Sequence, residues 1–244
     1  MNAHRLLLAS FLLAGCAWAQ QPDPPAPADA PTPSYDYPAS WWEPVEDEDA
    51  PAWEVLPQAG TPGKVVILSK RNELGILSNF APTPFELDGV RYASLEGLWQ
   101  CMKYPEGPDD PRATHPGVTW ERSRAEVAQL AGFEAYGAGK QAKANMKLMG
   151  IDWLTYQGKR MRYKVAGPDD ADAHYAIIYR ASVAKVRQNP KVRELLLATG
   201  DLELRPDHKQ GADATAAYRY FEIYTKIRAE LRAEARAEGA AKGD

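Results

Sequence analysis

The spacing of apolar residues divides the chain after residue 61 into a short strand-containing part and a longer helical part. The uninterrupted apolar run at residues 65–68 is typical of a buried strand. Two further runs, residues 84–87 and 90–92, flank Asp88-Gly89, and Asp-Gly between such runs indicates a β-hairpin. From residue 95 the apolar positions recur with a helical period, which predicts helices over residues 95–104, 119–130, 140–149, 152–162, 173–187, 191–198 and 214 to about 232.

Residues at several predicted helix ends support these boundaries. Ser94 precedes the first helix, Asn189-Pro190 opens another with Pro in its first turn, and Thr199-Gly200 closes it. After residue 229 the chain alternates Arg, Ala and Glu with little apolar face, so residues 233–244 are expected to form a frayed tail. The expected fold class is α+β, mainly helical, with a small β-sheet and hairpin packed against six or seven helices.

The first twenty residues have the pattern of a secretory signal peptide over residues 1–19. Arg5 precedes an apolar run at residues 6–14, which is too short to span a bilayer. Residues 13–16 (Leu-Ala-Gly-Cys) resemble a bacterial lipobox that leaves Cys16 lipidated, whereas cleavage after Ala19 releases a soluble protein. We therefore expect an exported protein, either a periplasmic or outer-membrane lipoprotein or, alternatively, a soluble secreted protein.

Composition changes sharply between the signal peptide and residue 61. Residues 21–60 hold ten of the twenty prolines and nine acidic residues, without Lys or Arg. Such a segment gains too little from burial to offset its ordering entropy, so residues 20–61 are predicted to be a disordered tether. The chain carries a net charge of −4, this segment contributes −9 and the leader +1, which leaves +4 on residues 61–244. A mildly basic domain suits a phosphate-bearing ligand better than general nucleic-acid binding.

Cysteine and histidine usage argues against a disulfide and a metal site. Cys16 and Cys101 are the two cysteines, and Cys16 is either lipidated or removed with the leader. The lone Cys101 is expected to be a small buried residue. The histidines His115, His174 and His208 lack metal-ligand spacing, so neither a metal nor another cofactor is expected.

One face of the predicted helix after Ser94 combines several chemical groups. Its residues, spaced i, i+3, i+4 and i+7, share a side of the helix and are Glu96, Trp99, Gln100 and Lys103. If that face meets solvent, Glu96 and Lys103 are an ordinary pair of exposed charges. If it meets a cavity, the face could carry a reaction.

Neighbouring motifs favour the second interpretation because their order resembles the NADAR family over roughly residues 62–232. The motifs are a Ser-Asn-Phe turn, an Asp-Gly hairpin, a helix with Glu, Gln and Lys plus an aromatic residue, a Trp and Met eight apart, and a Leu-Leu-Ala-Thr-Gly-Asp helix end. In this chain they are residues 78–80, Asp88-Gly89, Glu96, Gln100, Lys103-Tyr104, Trp153, Met161 and residues 196–201.

The resemblance implies a NADAR-like fold over residues 62–232 and hydrolysis of an N-glycosidic bond between a ribose C1 and a base. The substrate would be a phosphorylated ribosyl or ADP-ribosyl compound. Positive charge develops on the ribose, so a carboxylate near C1 stabilises it or activates water, and Glu96 is the candidate. Lys103 is placed either to attack the opened sugar as a Schiff base or to pair with a phosphate.

The remaining candidates serve the leaving base and the substrate. Asp207 is the candidate for a polar contact to the departing base, and Trp153 for its stacking surface, with a core role for Trp153 as the alternative. Asn79 and Phe80, on a turn, and Gln100, on the helix, are expected to bind substrate.

Three features depart from the family pattern. Gly97 stands where many members have His, and His115 or His208 would have to replace that imidazole. Residues 205–208 lead to Gly211 without the Trp that many members have there, which weakens the assignment of Asp207. Residues 166–170 and the helical stretch after them resemble an insertion, and insertions near a pocket alter which substrate fits.

The alternative function is a non-catalytic ADP-ribose or nucleotide-binding envelope lipoprotein, and a structural envelope protein is a third class. The expected partner is a small nucleotide-like molecule, with ADP-ribosylated nucleic acid as an alternative. Membrane contact is expected only through the lipid anchor, and the protein is expected to be a monomer.

Overall fold

The computed structural model describes residues 35–163, 168–211 and 213–242. The predicted signal peptide, Cys16 and the first part of the predicted tether lie outside these residues. The predicted insertion begins outside them as well and continues into a described helix. In the described part of the chain no helix combines the length and hydropathy needed to cross a bilayer.

The fold is α+β and mainly helical, as the sequence predicts. In the described residues the strands form three separate two-stranded sheets, β1 with β6, β2 with β3 and β4 with β5. The strands are β1 (Val65–Ile67), β2 (Phe85–Leu87), β3 (Val90–Tyr92), β4 (Trp153–Tyr156), β5 (Lys159–Arg162) and β6 (Glu203–Arg205). The helices are α1 (Leu95–Cys101), α2 (Arg124–Ala128), α3 (Gly132–Leu148), α4 (Pro168–Gln188), α5 (Pro190–Ala198) and α6 (Tyr220–Lys242).

The first strand and the predicted hairpin form where the sequence places them. β1 is buried along Val66 and Ile67 and pairs in parallel with β6, a strand the sequence analysis missed. In the β2–β3 hairpin both turn residues have positive φ, 51° at Asp88 and 77° at Gly89. Asp and Gly tolerate this conformation, which two-residue hairpin turns require.

The prediction of a helix over residues 152–162 is wrong, because β4 and β5 form a second antiparallel hairpin there. Gln157 and Gly158 turn the chain with φ values of 50° and 74°. Leu154, Tyr156 and Met161 point into the core, as alternate residues of strands do. The helical spacing of apolar residues over 152–162 is short, and the Gly158 turn interrupts it because positive φ is incompatible with an α-helix.

Helix boundaries follow the capping residues. The Ser94 hydroxyl accepts a hydrogen bond from the Gly97 amide at 2.9 Å and begins α1. Ser123 forms a capping box with Glu126, so α2 begins at Arg124 and not at residue 119. Pro190 occupies the first turn of α5, and Gly200, at φ 53°, follows its end. The caps at Ser94 and Pro190 agree with the predicted starts, and the cap at Ser123 moves the start of α2 five residues along the chain.

Helix α4 packs against β2 and β5, α6 packs against β6, and α5 packs against α4 and α6. Their buried faces include Ile178, Val186, Val192, Leu196 and Ile223. α6 remains helical to Lys242, and residues 233–241, where fraying was predicted, have exposed side chains.

Residues 35–61, which we call the N-terminal strap, contradict the prediction that the tether extends to residue 61. Trp41 is only 1% exposed, and its indole Nε1 donates to Glu73 Oε1 at 2.5 Å. Trp42 Nε1 donates to the Val65 carbonyl at 2.7 Å. Burial of tryptophan side chains offsets the entropy cost of ordering this segment, which its prolines and acidic residues alone could not do.

Candidate active site

A cavity of about 940 Å³ opens between α1, α3, the turn at residues 78–80, the loop after β6 and the strap. Six of the seven side chains predicted from the sequence for catalysis or substrate binding line this cavity: Asn79, Phe80, Glu96, Gln100, Lys103 and Asp207. The tertiary structure therefore brings together residues that are up to 128 positions apart in the chain.

Trp153 is the predicted site residue that the structure places elsewhere. It begins β4 and does not line the cavity. The guanidinium groups of Arg112 and Arg160 lie over its ring, 4.6 and 4.2 Å from the centroid. A ring covered by two cations on a hairpin outside the cavity has a structural role, which is the alternative that the sequence left open for Trp153.

Glu96 and Gln100 on α1 and Lys103 in the turn that follows it form one hydrogen-bonded row. Gln100 Nε2 donates to Glu96 Oε1 at 2.6 Å, and Lys103 Nζ donates to Gln100 Oε1. All three side chains are buried, with 7%, 7% and 4% exposure in that order. The face predicted from the helical spacing is thus turned inward, and its amide orients the carboxylate and the amine together.

Gly139 of α3 makes room for this row. A Cβ at position 139 would lie 1.9 Å from Gln100 Oε1, which is far inside van der Waals contact. The absence of a side chain at Gly139 therefore allows α3 to approach α1 closely enough for the Gln100 amide to reach both partners.

Burial raises the pKa of the Glu96 carboxyl above its ordinary value. The hydrogen bond from Gln100 and the positive charges of Lys103 and Lys70 act in the opposite direction. A carboxyl group with a raised pKa is a stronger base when ionised than an exposed one.

Asp207 lies in the loop after β6 and is 2% exposed. Its Oδ2 pairs with Lys70 Nζ, and its Oδ1 accepts from Tyr220 Oη at 3.0 Å and contacts His208 Nδ1 at 3.0 Å. Burial acts to raise the pKa of Asp207, but the contacts with His208 and Lys70 outweigh it and lower that pKa. The two buried carboxyl groups of the cavity therefore have pKa values shifted in opposite directions.

Two residues of this network were not among the sequence-based candidates. Lys70 directly follows the β1 region, and Tyr220 begins α6, so nothing in their local sequence links them to Asp207. His208, considered as a replacement for the absent imidazole, does line the cavity, whereas His115 is exposed and bonds to the Pro116 carbonyl.

Gly97 has a packing role that leaves no space for a side chain at this position. A Cβ at position 97 would come within 2.6 Å of the Leu130 carbonyl oxygen and 3.0 Å of the Ala128 carbonyl oxygen. These atoms belong to the backbone and cannot rotate away. Any side chain at position 97 would therefore push α1 away from the end of α2.

The backbone carbonyls of the turn at residues 78–80 accept hydrogen bonds from three helices, α1, α3 and α4. The Glu96 amide donates to the Asn79 carbonyl at 2.9 Å, and the Gly132 amide donates to the Phe80 carbonyl at 3.0 Å. Lys185 Nζ, fully buried in α4, donates to the Ser78 carbonyl at 2.8 Å. These bonds fix Asn79 and Phe80 beside the α1 row, as preorganised binding groups require.

The cavity wall has more positive than negative side chains. Six basic side chains and three acidic ones line it, and these are Lys70, Arg71, Lys103, Lys140, Lys143 and Lys209 against Glu54, Glu96 and Asp207. An excess of three positive charges around a concave site favours an anionic ligand.

Sequence reasoning missed the contribution of α3 to this wall. Phe133, Tyr136, Lys140 and Lys143 line the cavity and share one face of the helix. The predicted helix began only at Lys140, because Gly137 and Gly139 lower helix propensity before it. The spacing of these four residues was the signal that could have identified the face.

No protein-family model and no curated protein matches the chain. A solved structure that resembles it is the NMR structure of the E. coli protein YbiA, with 19% sequence identity and a TM-score of 0.45. The match covers 70% of this chain and 87% of that chain. Similarity at this level assigns neither a family nor an activity, so a functional interpretation has to rest on the residues of the cavity.

Proposed function

We propose that this protein is an N-glycosidase of NADAR type that hydrolyses the bond between a ribose C1 and a base in a phosphorylated ribosyl or ADP-ribosyl substrate. The observation that carries the proposal is the buried Glu96–Gln100–Lys103 row, which opens onto a cavity with excess positive charge. Burying a carboxylate and an amine is costly, and such groups concentrate at functional sites.

Glu96 acts on the ribose side of the bond. As the base departs, positive charge develops on the ring, and the Glu96 carboxylate stabilises it. The same carboxylate accepts a proton from the water that attacks C1, and its raised pKa makes it a more effective acceptor. Lys103 and Gln100 hold the group in position for both roles.

Asp207 acts on the side of the leaving base. Its lowered pKa keeps it ionised, and its partners Lys70, Tyr220 and His208 fix its direction. An ionised carboxylate accepts hydrogen bonds from the N–H groups of a nucleobase and so orients the base for departure. The departing nitrogen keeps the electron pair of the broken bond and receives the proton that Glu96 takes from water, so the ribose gains OH and the base gains H. Lys70 lies between this carboxylate and the Phe80 ring, 5.5 Å from the ring centroid.

The excess of basic side chains supports a phosphate-bearing substrate. Lys140 and Lys143 are exposed at the wall formed by α3, where they can meet phosphate oxygens without a large desolvation cost. The proposal includes export behind residues 1–19, with Cys16 as the lipid attachment site. Mass spectrometry of the protein from cells tests this part, and an intact Met1 would contradict it.

The direct test is base release, followed by chromatography with mass detection, from the full chain with NAD, ADP-ribosylated guanine and a ribosylaminopyrimidine phosphate. Glu96→Gln keeps the size of the side chain and removes its charge, so we expect a loss of release of roughly 10²- to 10⁴-fold. Glu86→Gln is the matched control, because Glu86 is exposed on β2 outside the cavity.

The binding alternative gives a different pattern. A non-catalytic nucleotide-binding protein would release no base from any compound and would bind ligand with similar affinity before and after Glu96→Gln. Release that survives in Glu96→Gln would remove Glu96 from the mechanism.

A further inference from the structure

We propose that Trp53, held at the cavity by the N-terminal strap, is the surface on which the planar base of the substrate stacks. The inference rests on the proposed function, and it assigns to the strap the role that the sequence assigned to Trp153. Trp53 lines the same cavity as Glu96 and Asp207, although it belongs to a segment predicted to be a disordered tether.

The strap positions Trp53 by pairing with the loop that carries Asp207. The Val55 amide donates to the Asp207 carbonyl and the Lys209 amide to the Trp53 carbonyl, each at 2.8 Å. Between these bonds Glu54 and His208 form an antiparallel bridge. Backbone pairing on both sides of residue 54 fixes Trp53 next to the loop that contacts the base.

Side chains of the strap strengthen the same attachment. Arg71 Nε and Nη2 donate to the two carboxylate oxygens of Glu54 at 2.9 and 2.8 Å, and Arg71 Nη1 pairs with Asp47 at 2.9 Å. The strap is therefore joined to the Lys70-Arg71 segment as well as to the Asp207 loop. A residue carried on this segment has a defined position at the site.

The exposure of Trp53 is the second observation. Five large apolar side chains are exposed in the described part of the chain, and the three aromatic ones among them, Trp53, Phe133 and Tyr136, all line this cavity. Single exposed apolar residues are ordinary, but aromatic residues gathered at one concave site mark a place where a flat apolar group binds.

Trp53 is the best placed of the three. Phe80 packs edge-on against Phe133 with centroids 5.4 Å apart and lies 6.0 Å from the Tyr136 ring, which also has Lys140 Nζ 4.9 Å from its centroid. Trp53 is 52% exposed, and no ring or cation of the described residues stacks on it. Its indole faces are available, and its backbone is adjacent to the carboxylate that would contact the edge of the same base.

The test compares two ligands that differ only by a base, guanosine 5′-monophosphate and ribose 5-phosphate, by calorimetric titration of the full chain carrying Glu96→Gln. We expect Trp53→Ala to weaken binding of the nucleotide about 5- to 100-fold and to leave ribose 5-phosphate binding unchanged. Trp53→Phe should retain most of the affinity. Trp153→Ala, outside the cavity, is the matched control and should change neither affinity.

Several results would overturn the stacking role. The first is an equal loss of affinity for both ligands when Trp53→Ala is added to the Glu96→Gln chain. The second is equal affinity of the Glu96→Gln chain for both ligands while Trp53 is present, and the third is no measurable binding of either ligand. Failure of the proposed function is a separate outcome. If nucleotide binding depends on Trp53 but no base is released, the protein is a binding protein with this stacking surface. If base is released and Trp53→Ala leaves KM unchanged, the protein is an enzyme and Trp53 has no stacking role.

Discussion

Replacing Trp41 with Ala tests whether the strap belongs to the folded domain. Trp41 is 1% exposed and contacts the rings of Tyr37 and Trp42, with centroid distances of 6.0 and 6.2 Å. Truncating a buried Trp to Ala costs about 3–5 kcal/mol of unfolding free energy through lost burial and the cavity left behind. Glu73, which loses its indole donor, is exposed and can be hydrated, so no further penalty is added.

The assay is urea and thermal unfolding of the full chain, followed by circular dichroism. A loss of 3–5 kcal/mol lowers the melting temperature of a domain of this size by about 6–20 °C. Trp53→Ala is the matched control, because it makes the same substitution in the same segment at a residue that is 52% exposed, and its effect should stay within about 0.5 kcal/mol. If Trp41→Ala stays within about 1 kcal/mol of wild type, the strap does not contribute to the fold, and the tether predicted from composition is right.

Three further substitutions test the packing and electrostatics of the site. Gly97→Ala places a Cβ 2.6 Å from a backbone carbonyl oxygen, so urea unfolding should show a loss of about 1–3 kcal/mol, and wild-type stability would contradict the packing role. Burial lowers the pKa of Lys185 to about 7 from 10.5, so the unfolded chain binds more protons between these values and wild-type stability rises with pH there. Lys185→Met lacks this rise. The unfolding free energy of wild type minus that of the variant should therefore increase by about 1 kcal/mol per pH unit between about pH 7.5 and 9. A difference that stays constant with pH would show that burial does not lower the pKa of Lys185. Trp153→Ala should lower stability through its lost cation–π contacts while kcat and KM for base release stay unchanged, and a raised KM would return Trp153 to the site.

Much of the fold could be predicted because local signals were strong. Asp88-Gly89 defined a hairpin, and Ser94 and Pro190 marked helix starts through the chemistry of their own side chains. The prediction failed at β4 and β5, where Gln157-Gly158 gives a weaker turn signal than Asp-Gly. It also missed β6, because that strand contains a single apolar residue, Leu204, and has neither the apolar run of β1 nor the Asp-Gly turn of the β2–β3 hairpin.

By itself the sequence determined which side chains are available for chemistry and that three of them share one side of a predicted helix. The spacing of Glu96, Gln100 and Lys103 places them on one side of α1 in any structure in which that segment is helical. Neither the direction of that side nor the partners of Asp207 followed from spacing, because both depend on contacts between residues distant in the chain.

Only the tertiary structure decided that the α1 face is buried and that the strap is part of the site. Composition averages over a segment, and the prolines and acidic residues of residues 35–61 outweigh three tryptophans in such an average. Folding depends instead on whether particular side chains find a complementary surface. Trp41 finds one on the domain, and its burial orders the strap that brings Trp53 to the cavity.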